Sequence, residues 1–126
     1  MLIFVYGTLK QGHRNNYLLS EAKYLGNGTT KDKYGLYKAT NGSFPFMITS
    51  KQNGRIPGEL YEIDKDTEDE LDILEGYPNL YIKKDIVVIC EKNNKEVVAK
   101  TYIKNEKNYK DIIDYNSQIC EWKISY

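Results

Sequence analysis

Residues 2–10 read Leu2-Ile3-Phe4-Val5-Tyr6-Gly7-Thr8-Leu9-Lys10. The first five of these residues form a continuous apolar run of strand length, and the run stops at Gly7. An apolar run without alternating polar residues is typical of a buried strand rather than a half-exposed one. Residues 9–16 are mostly polar and include Gly12, so they predict a loop directly after the strand.

Further strands are predicted by short apolar and aromatic segments that turn residues separate. Residues 23–38 combine strands with glycine turns, and residues 46–49 and 56–63 are two more strand candidates. The strongest candidates are residues 81–91 and 97–103, which flank Lys92-Asn93-Asn94-Lys95. This tetrapeptide predicts a hairpin loop, because asparagine tolerates the left-handed backbone conformation of tight turns.

The best helix signal covers residues 67–74. Thr67 and Glu70 have the spacing of a capping box, and acidic residues at 68–70 suit the positive end of the helix dipole. Gly76 and Pro78 are typical stop signals. A short helical turn is expected at residues 17–19, whereas residues 109–126 are expected to be mostly irregular or weakly helical.

Many short strands with one good helix among them predict an α+β fold. Its sheet is expected to be largely antiparallel or mixed, and able to close on itself. The regular β-α alternation of a doubly wound fold is absent from the pattern. The chain has 126 residues and a mass of 14.7 kDa, so a single domain over residues 1–126 is expected.

The charge balance and the length of the apolar runs exclude several functional classes. Eighteen basic and eighteen acidic residues give a formal net charge of zero, so we expect no binding of nucleic acid or of an anionic membrane. No apolar run approaches the roughly 20 residues of a transmembrane helix. The first residues lack the charged-then-apolar layout of a signal peptide, so a cytoplasmic location is expected.

Metal and thiol chemistry are not indicated by the sequence. Cys90 and Cys120 lie far apart without CxxC spacing, and His13 is the single histidine. The chain shows neither a nucleophile elbow nor residues with the spacing of metal ligands. We therefore expect both cysteines to be reduced, and we expect no metal ion and no cofactor.

The turn after the first strand is one candidate for chemistry. Gly7 allows backbone N–H groups of the segment Tyr6-Gly7-Thr8-Leu9 to point at a ligand without a Cβ in the way. Such a nest of donors suits a carboxylate or a developing oxyanion. Taken alone, a glycine at this position is more often an ordinary strand exit.

Glu75 is the second candidate. It follows Leu71 by four positions, so both side chains project from one face of the helix. Nearness to the apolar stripe and to the negative end of the helix dipole both raise a carboxyl pKa, and Glu68 and Asp72 would add like-charge repulsion. A raised pKa suits a general base. From the residues alone, a solvated side chain on an acidic helix is the commoner interpretation.

Four blocks of the sequence occur in a characteristic order. They are residues 4–12 with Asn15, residues 58–63, residues 71–77, and Tyr81 with the strand around residues 86–88. In order and approximate spacing they resemble the gamma-glutamylcyclotransferase-like family, particularly its gamma-glutamylamine cyclotransferase branch. Residues 99–102 resemble the family's last core strand, and the segment after about Asn105 matches poorly.

The resemblance implies a compact β-barrel-like α+β fold with a small mixed or antiparallel sheet, one main helix and short helical turns. It implies a pocket at one end of the barrel, lined mostly through backbone groups by Tyr6, Gly7, Thr8 and Leu9. It further implies that Glu75 is the catalytic glutamate and that Tyr81 lies near the pocket, with no metal ligand.

The implied activity is the release of 5-oxoproline from a γ-glutamyl amine or γ-glutamyl amino acid. The substrate's own α-amine would attack its γ-carbonyl, so no Ser, Cys, metal or cofactor is needed. The leaving amine stays open between an amino acid, the ε-amine of lysine, a polyamine and a larger metabolite, with glutathione less expected. The alternative is a non-catalytic module that binds γ-glutamyl compounds on the same fold. The sequence gives no indication of oligomeric state.

Overall fold

The computed structural model describes residues 1–123. These residues form eight strands, one α-helix and two short 3-10 turns. The strands are β1 (Leu2–Val5), β2 (Lys23–Thr30), β3 (Gly35–Ala39), β4 (Pro45–Ile48), β5 (Pro57–Glu62), β6 (Tyr81–Cys90), β7 (Glu96–Lys104) and β8 (Ile113–Gln118). The helix α1 spans Lys65–Glu75, and the 3-10 turns span Asn16–Leu19 and Lys110–Ile112. None of the helices in this part of the chain is long and apolar enough to cross a membrane.

Five of the strands close into a barrel in the order β1-β5-β2-β6-β7. Its neighbouring strands pair antiparallel, except that β1 meets β7 in parallel at Ile3 and Lys100 and so closes the barrel. The other three strands form a separate sheet in the order β4-β3-β8. The architecture is α+β with a mixed, closed sheet and one main helix, so the predicted fold class is confirmed.

β1 is buried on both of its faces. Ile3 and Val5 belong to one apolar cluster, whereas Phe4 and the following Tyr6 belong to a second one. Because successive side chains of a strand point to opposite faces, a strand between two clusters needs an apolar residue at every position. This position in the barrel wall explains the unbroken apolar run at residues 2–6.

α1 begins two residues earlier than predicted, and its N-terminal cap is a different residue. The Asp64 carboxylate accepts a hydrogen bond from the Thr67 N–H at 2.8 Å, so the predicted capping box of Thr67 with Glu70 is wrong. Aspartate caps a helix as well as threonine does, and Asp64 has the extended backbone of a cap residue. The predicted stop is confirmed, because Gly76 ends the helix in the left-handed conformation with φ 62°.

The C-terminal segment is more ordered than its sequence indicates. Ile113–Gln118 form β8 and pair antiparallel with β3, so the expectation of irregular or weakly helical structure is wrong there. β8 is an edge strand in which Ile113 is the one buried residue, so it lacks the apolar alternation of a half-buried strand. Long-range contacts hold it, including a Tyr37–Tyr115 ring pair 5.7 Å apart. Residues 124–126 of that prediction lie outside the described residues.

Two local predictions are confirmed around the barrel. β6 and β7 form the predicted hairpin, and Asn94 in its loop adopts a left-handed backbone angle with φ 58°. The 3-10 turn at Asn16–Leu19 lies where a helical turn is predicted.

Candidate active site

A pocket of about 130 Å³ gathers all six residues that the sequence analysis assigns to a site. These residues are Tyr6, Gly7, Thr8, Leu9, Glu75 and Tyr81. The remaining lining residues are Phe4, Val5, Arg14, Asn15, Phe44, Pro45, Leu74 and Tyr102. The turn after β1 faces the end of α1 across this pocket, with β4 and the β6–β7 hairpin contributing the other walls. Residues 1–123 hold no cluster of three or more His, Cys, Asp or Glu side chains placed to bind a metal ion.

The turn after β1 is held through its carbonyl groups. The Gly7 carbonyl accepts from the Lys10 N–H at 3.1 Å, and the Thr8 carbonyl accepts from the Asn15 N–H at 3.0 Å. The Asn15 side chain donates a further bond to Thr8 Oγ1 at 2.9 Å. Across residues 1–123 the backbone N–H groups of Gly7, Thr8 and Leu9 donate to no acceptor. Three consecutive residues that line the pocket therefore have backbone donors without an acceptor in this part of the chain.

Gly7 is required by space and not by a left-handed backbone conformation, because its φ is not positive. A Cβ at this position would lie 2.8 Å from Cγ and 3.1 Å from Cδ of Pro45. Well-packed carbon atoms do not approach that closely, so any other residue would push Pro45 away from the turn. The glycine thus allows the first residue of β4 to close one wall of the pocket.

Glu75 is the last residue of α1, and its carboxyl faces the pocket from a half-buried position. Burial raises the pKa of this carboxyl from its ordinary value of 4.5 to about 7. No hydrogen bond or ion pair from the described residues lowers it again. A carboxyl that changes charge near neutral pH is able both to accept and to donate a proton under the same conditions.

The acidic neighbours of Glu75 on α1 do not contribute to its raised pKa. Lys83 on β6 binds both of them, with its Nζ 2.7 Å from Glu68 Oε2 and 3.1 Å from Asp72 Oδ2. The prediction that like-charge repulsion raises the pKa of Glu75 is therefore wrong, because a strand residue balances the two carboxylates locally. Burial alone accounts for the direction of the shift.

Three buried tyrosines line the pocket with their hydroxyl groups already engaged. Tyr6 donates to the Tyr102 carbonyl at 2.5 Å, and Tyr81 donates to the Pro45 carbonyl at 3.1 Å. Burial raises the pKa of Tyr6, Tyr81 and Tyr102, and the charge of the nearby Glu75 raises it further. The phenols stay protonated at neutral pH, whereas the pKa of the Glu75 carboxyl lies within the neutral range.

Tyr102 and Arg14 are pocket residues that the sequence analysis misses. Tyr102 donates its hydroxyl hydrogen bond to Asp72 Oδ1 at 2.6 Å and so connects the pocket wall to α1. The hairpin register predicts its place, because Tyr81 pairs with Lys104 and Tyr102 then lies diagonally opposite on the same face. Arg14 is an exposed residue of the loop after the turn, and no sequence pattern distinguishes it.

Similarity to known proteins extends over nearly the whole chain. The family described as "Gamma-glutamyl cyclotransferase, AIG2-like" matches residues 3–123. The chain belongs to this family. A putative gamma-glutamylcyclotransferase of Drosophila melanogaster is 38% identical over 97 residues, which cover 72% of this chain and 62% of the fly protein. Gamma-glutamylaminecyclotransferase A of Danio rerio is 36% identical over 98 residues, which cover 73% of this chain and 61% of the fish protein.

The fold of the family is seen in a crystal structure as well. An AIG2-like protein from Mus musculus superimposes with a TM-score of 0.76 at 26% identity, covering 92% of this chain and 86% of the mouse chain. The chain spans less than two thirds of the length of the fly and fish relatives. Relatives named cyclotransferase and relatives named aminecyclotransferase match at similar identity, so sequence identity does not assign the chain to either branch of the family.

Proposed function

We propose that this protein is a cyclotransferase that converts a γ-glutamyl amine or γ-glutamyl amino acid to 5-oxoproline and a free amine. One observation carries the proposal: a single pocket contains a carboxyl with a pKa of about 7 and a turn whose three N–H groups are left for a ligand. Membership in a gamma-glutamyl cyclotransferase family supports the reaction class.

The reaction exchanges one C–N bond for another within the substrate. The α-amine nitrogen forms a bond to the γ-carbonyl carbon, and the amide bond from that carbon to the leaving nitrogen breaks. The α-ammonium group loses two protons on becoming the lactam N–H, and the leaving nitrogen gains two on becoming an ammonium ion. The reaction therefore needs a group that moves protons between two nitrogen atoms, and it consumes no co-reactant.

Glu75 fits this task. At neutral pH the α-amine is mostly protonated and cannot attack, so a base must first remove a proton from it. A carboxyl with a pKa of about 7 accepts that proton and then delivers it to the leaving nitrogen. One side chain thus serves as general base and general acid, which requires a pKa close to the working pH.

The turn and the tyrosines would hold the substrate folded for attack. The N–H groups of Gly7, Thr8 and Leu9 would bind the substrate α-carboxylate or stabilise the oxyanion, where each donor is worth about 3 kcal/mol. Good orientation of an intramolecular nucleophile supplies up to roughly 7–11 kcal/mol of the barrier reduction. The rings of Tyr6 and Tyr81 suit this role, because their hydroxyl hydrogen bonds fix them in place.

The test is release of 5-oxoproline from a panel of γ-glutamyl amino acids and γ-glutamyl-ε-lysine. We expect the wild-type protein to release it and Glu75→Gln to lose about 10²- to 10⁴-fold in kcat, because the substitution keeps the shape and removes the base. Glu70→Gln is the matched control, since Glu70 is exposed on the same helix and does not line the pocket.

Two results would contradict the proposal in different ways. Wild-type rates in a folded Glu75→Gln protein would exclude Glu75 as the base. Thermal stabilisation by γ-glutamyl compounds without release of 5-oxoproline would instead show a binding module on the same fold.

A further inference from the structure

Each of the three phenols that line the pocket donates its hydroxyl hydrogen bond to an acceptor other than Glu75. Tyr6 and Tyr81 donate to backbone carbonyl groups of β7 and β4. Tyr102 differs from them, because its acceptor is the side chain of Asp72, with Oδ1 at 2.6 Å. The direction of this one hydroxyl therefore depends on a side chain of α1 and not on the backbone of a strand.

Asp72 lies beside Glu75 on α1. It precedes Glu75 by three residues, so the two side chains are neighbours on the helix surface, with about 5–6 Å between their Cβ atoms. Both oxygens of Asp72 are in use, because Oδ2 accepts from Lys83 Nζ at 3.1 Å and Oδ1 accepts from the Tyr102 hydroxyl. The Tyr102 hydroxyl is thus held on the neighbour of the carboxyl that shares its pocket.

The charged and titratable groups around Glu75 come from four parts of the fold. They are Glu68 and Asp72 on α1, Tyr81 and Lys83 on β6, Tyr102 on β7, and Tyr6 and Arg14 in the segment after β1. Lys83 balances the two acids, and the pKa of each phenol is raised far above neutrality, first by burial. Arg14 is exposed and forms no ion pair within residues 1–123. In this part of the chain, the Glu75 carboxyl therefore has neither a donor nor a countercharge bound to it.

We propose that Asp72 is a positioning residue that keeps the Tyr102 hydroxyl turned away from Glu75, so that the Glu75 carboxyl stays open to the ammonium group of the substrate. The inference rests on the proposed function, because proton transfer by Glu75 is what requires an unbound carboxyl. A donor on the ionised form of a carboxyl stabilises that form and makes it a weaker base. Asp72 does not line the pocket itself, so it acts on the reaction through Tyr102.

Burial forces the Tyr102 hydroxyl to find another acceptor when Asp72 is removed. Tyr102 is 3% exposed, and a buried donor that loses its partner costs the fold its full desolvation energy. After burial and the bond to Asp72, the charge of Glu75 is a further cause that raises the pKa of this phenol. The hydroxyl therefore lies within electrostatic reach of the Glu75 carboxyl, which is its next acceptor in the pocket.

The test follows the titration midpoint of Glu75 in Asp72→Leu, by NMR and by the acidic limb of the kcat/KM profile. The leucine removes the acceptor, and we expect the fold to persist because Lys83 keeps its bond to Glu68 at 2.7 Å. The midpoint is expected to fall from near pH 7 to about pH 5–6, the change that one hydrogen bond to a charged carboxylate produces. Adding Tyr102→Phe to Asp72→Leu removes the hydroxyl and is expected to return the midpoint toward pH 7.

Glu68→Gln is the matched control for the charge of Lys83. It removes the other carboxylate that Lys83 binds and leaves the bond between Asp72 and Tyr102 in place, so the midpoint is expected to stay near pH 7. Tyr102→Phe alone tests the same geometry without changing α1. It is expected to leave the midpoint near pH 7, because the wild-type hydroxyl donates to Asp72 and not to Glu75.

The outcomes separate this inference from the proposed function. A wild-type midpoint in a folded Asp72→Leu protein would overturn the inference. A low midpoint that persists in the double variant would overturn it as well, because the freed charge of Lys83 would then be the cause. So would a midpoint in Tyr102→Phe above that of the wild type, since the hydroxyl would already be donating to Glu75. Failure to release 5-oxoproline from any γ-glutamyl substrate would overturn the proposed function but not the position of the hydroxyl, which the NMR titration decides without substrate.

Discussion

One helix carries acidic side chains in two environments, and the contrast shows how the fold gives them different tasks. Glu68 and Asp72 lie one turn apart on α1 and share the ammonium group of Lys83, at 2.7 and 3.1 Å. Glu75 lies at the end of the same helix, where burial raises its carboxyl pKa to about 7. The first two carboxylates fasten the helix to β6, whereas the third gains the proton affinity that acid–base chemistry needs.

The two environments have opposite consequences for the stability of the fold. Removing one partner of a mostly buried ion pair strongly destabilises a protein, because the other charge is left uncompensated. A buried carboxyl without a partner instead lowers the stability of the fold whenever it is ionised. Substitutions in the two environments are therefore expected to change the free energy of unfolding in opposite directions.

The largest expected change in stability is a gain in Glu75→Gln at high pH. The carboxyl pKa is about 7 in the folded protein against an ordinary value of 4.5, so ionising it costs the fold up to about 3 kcal/mol. The cost is absent below about pH 4.5, grows between pH 4.5 and 7, and is complete above pH 7. Urea unfolding of both proteins at pH 4.5 and pH 8 measures it, and a gap that does not change with pH would contradict the assignment.

The next expected effect comes from Gly7→Ala, which opens the wall around Glu75. The new Cβ would lie 2.8 Å from Pro45 Cγ, so Pro45 must move and the pocket loses its closed shape. We expect kcat/KM to fall about 100-fold, the scale associated with a displacement of about 1 Å at a catalytic site.

Gly54→Ala is the control for this substitution. No atom lies within 4 Å of a Cβ built at Gly54, so activity and melting temperature are expected to stay at their wild-type values. Equal activity of the two alanine variants would show that the contact between Gly7 and Pro45 does not shape the pocket.

A smaller effect is expected when Lys83 is replaced by methionine. Lys83→Met leaves Glu68 and Asp72 without their cation, and we expect a loss of about 2 kcal/mol in the free energy of unfolding, because these side chains are largely but not completely buried. Lys100→Met is the matched control. Its ion pair with Asp85, at 2.9 Å, is exposed and worth less than about 1 kcal/mol. Similar losses in both variants, measured by urea unfolding, would remove the distinction between the two kinds of ion pair.

The features that the sequence predicts well are those with local signals. The apolar run of β1, the asparagine loop of the β6–β7 hairpin and the glycine that ends α1 each depend on a few adjacent residues. The family resemblance adds the six site residues, which the structure places around one pocket.

The features that the sequence misses depend on contacts between distant residues. β8 is polar and is held at the edge of β3, so its own composition gives no strand signal. The ammonium group that balances Glu68 and Asp72 comes from β6, which the pattern of α1 cannot reveal. The prediction of Thr67 as the cap instead of Asp64 is a local error, since both residue types are good caps.

A site-resolved NMR titration of the Glu75 carboxyl, with the signal assigned by its loss in Glu75→Gln, tests directly whether burial prepares this group as the base. We expect a midpoint near pH 7, the value to which burial raises its pKa. The acidic limb of the kcat/KM profile should show the same midpoint, because that profile reports the ionisation of the free enzyme. A midpoint near 4.5, the ordinary value of a glutamate, would contradict the claim that burial prepares Glu75 as the base.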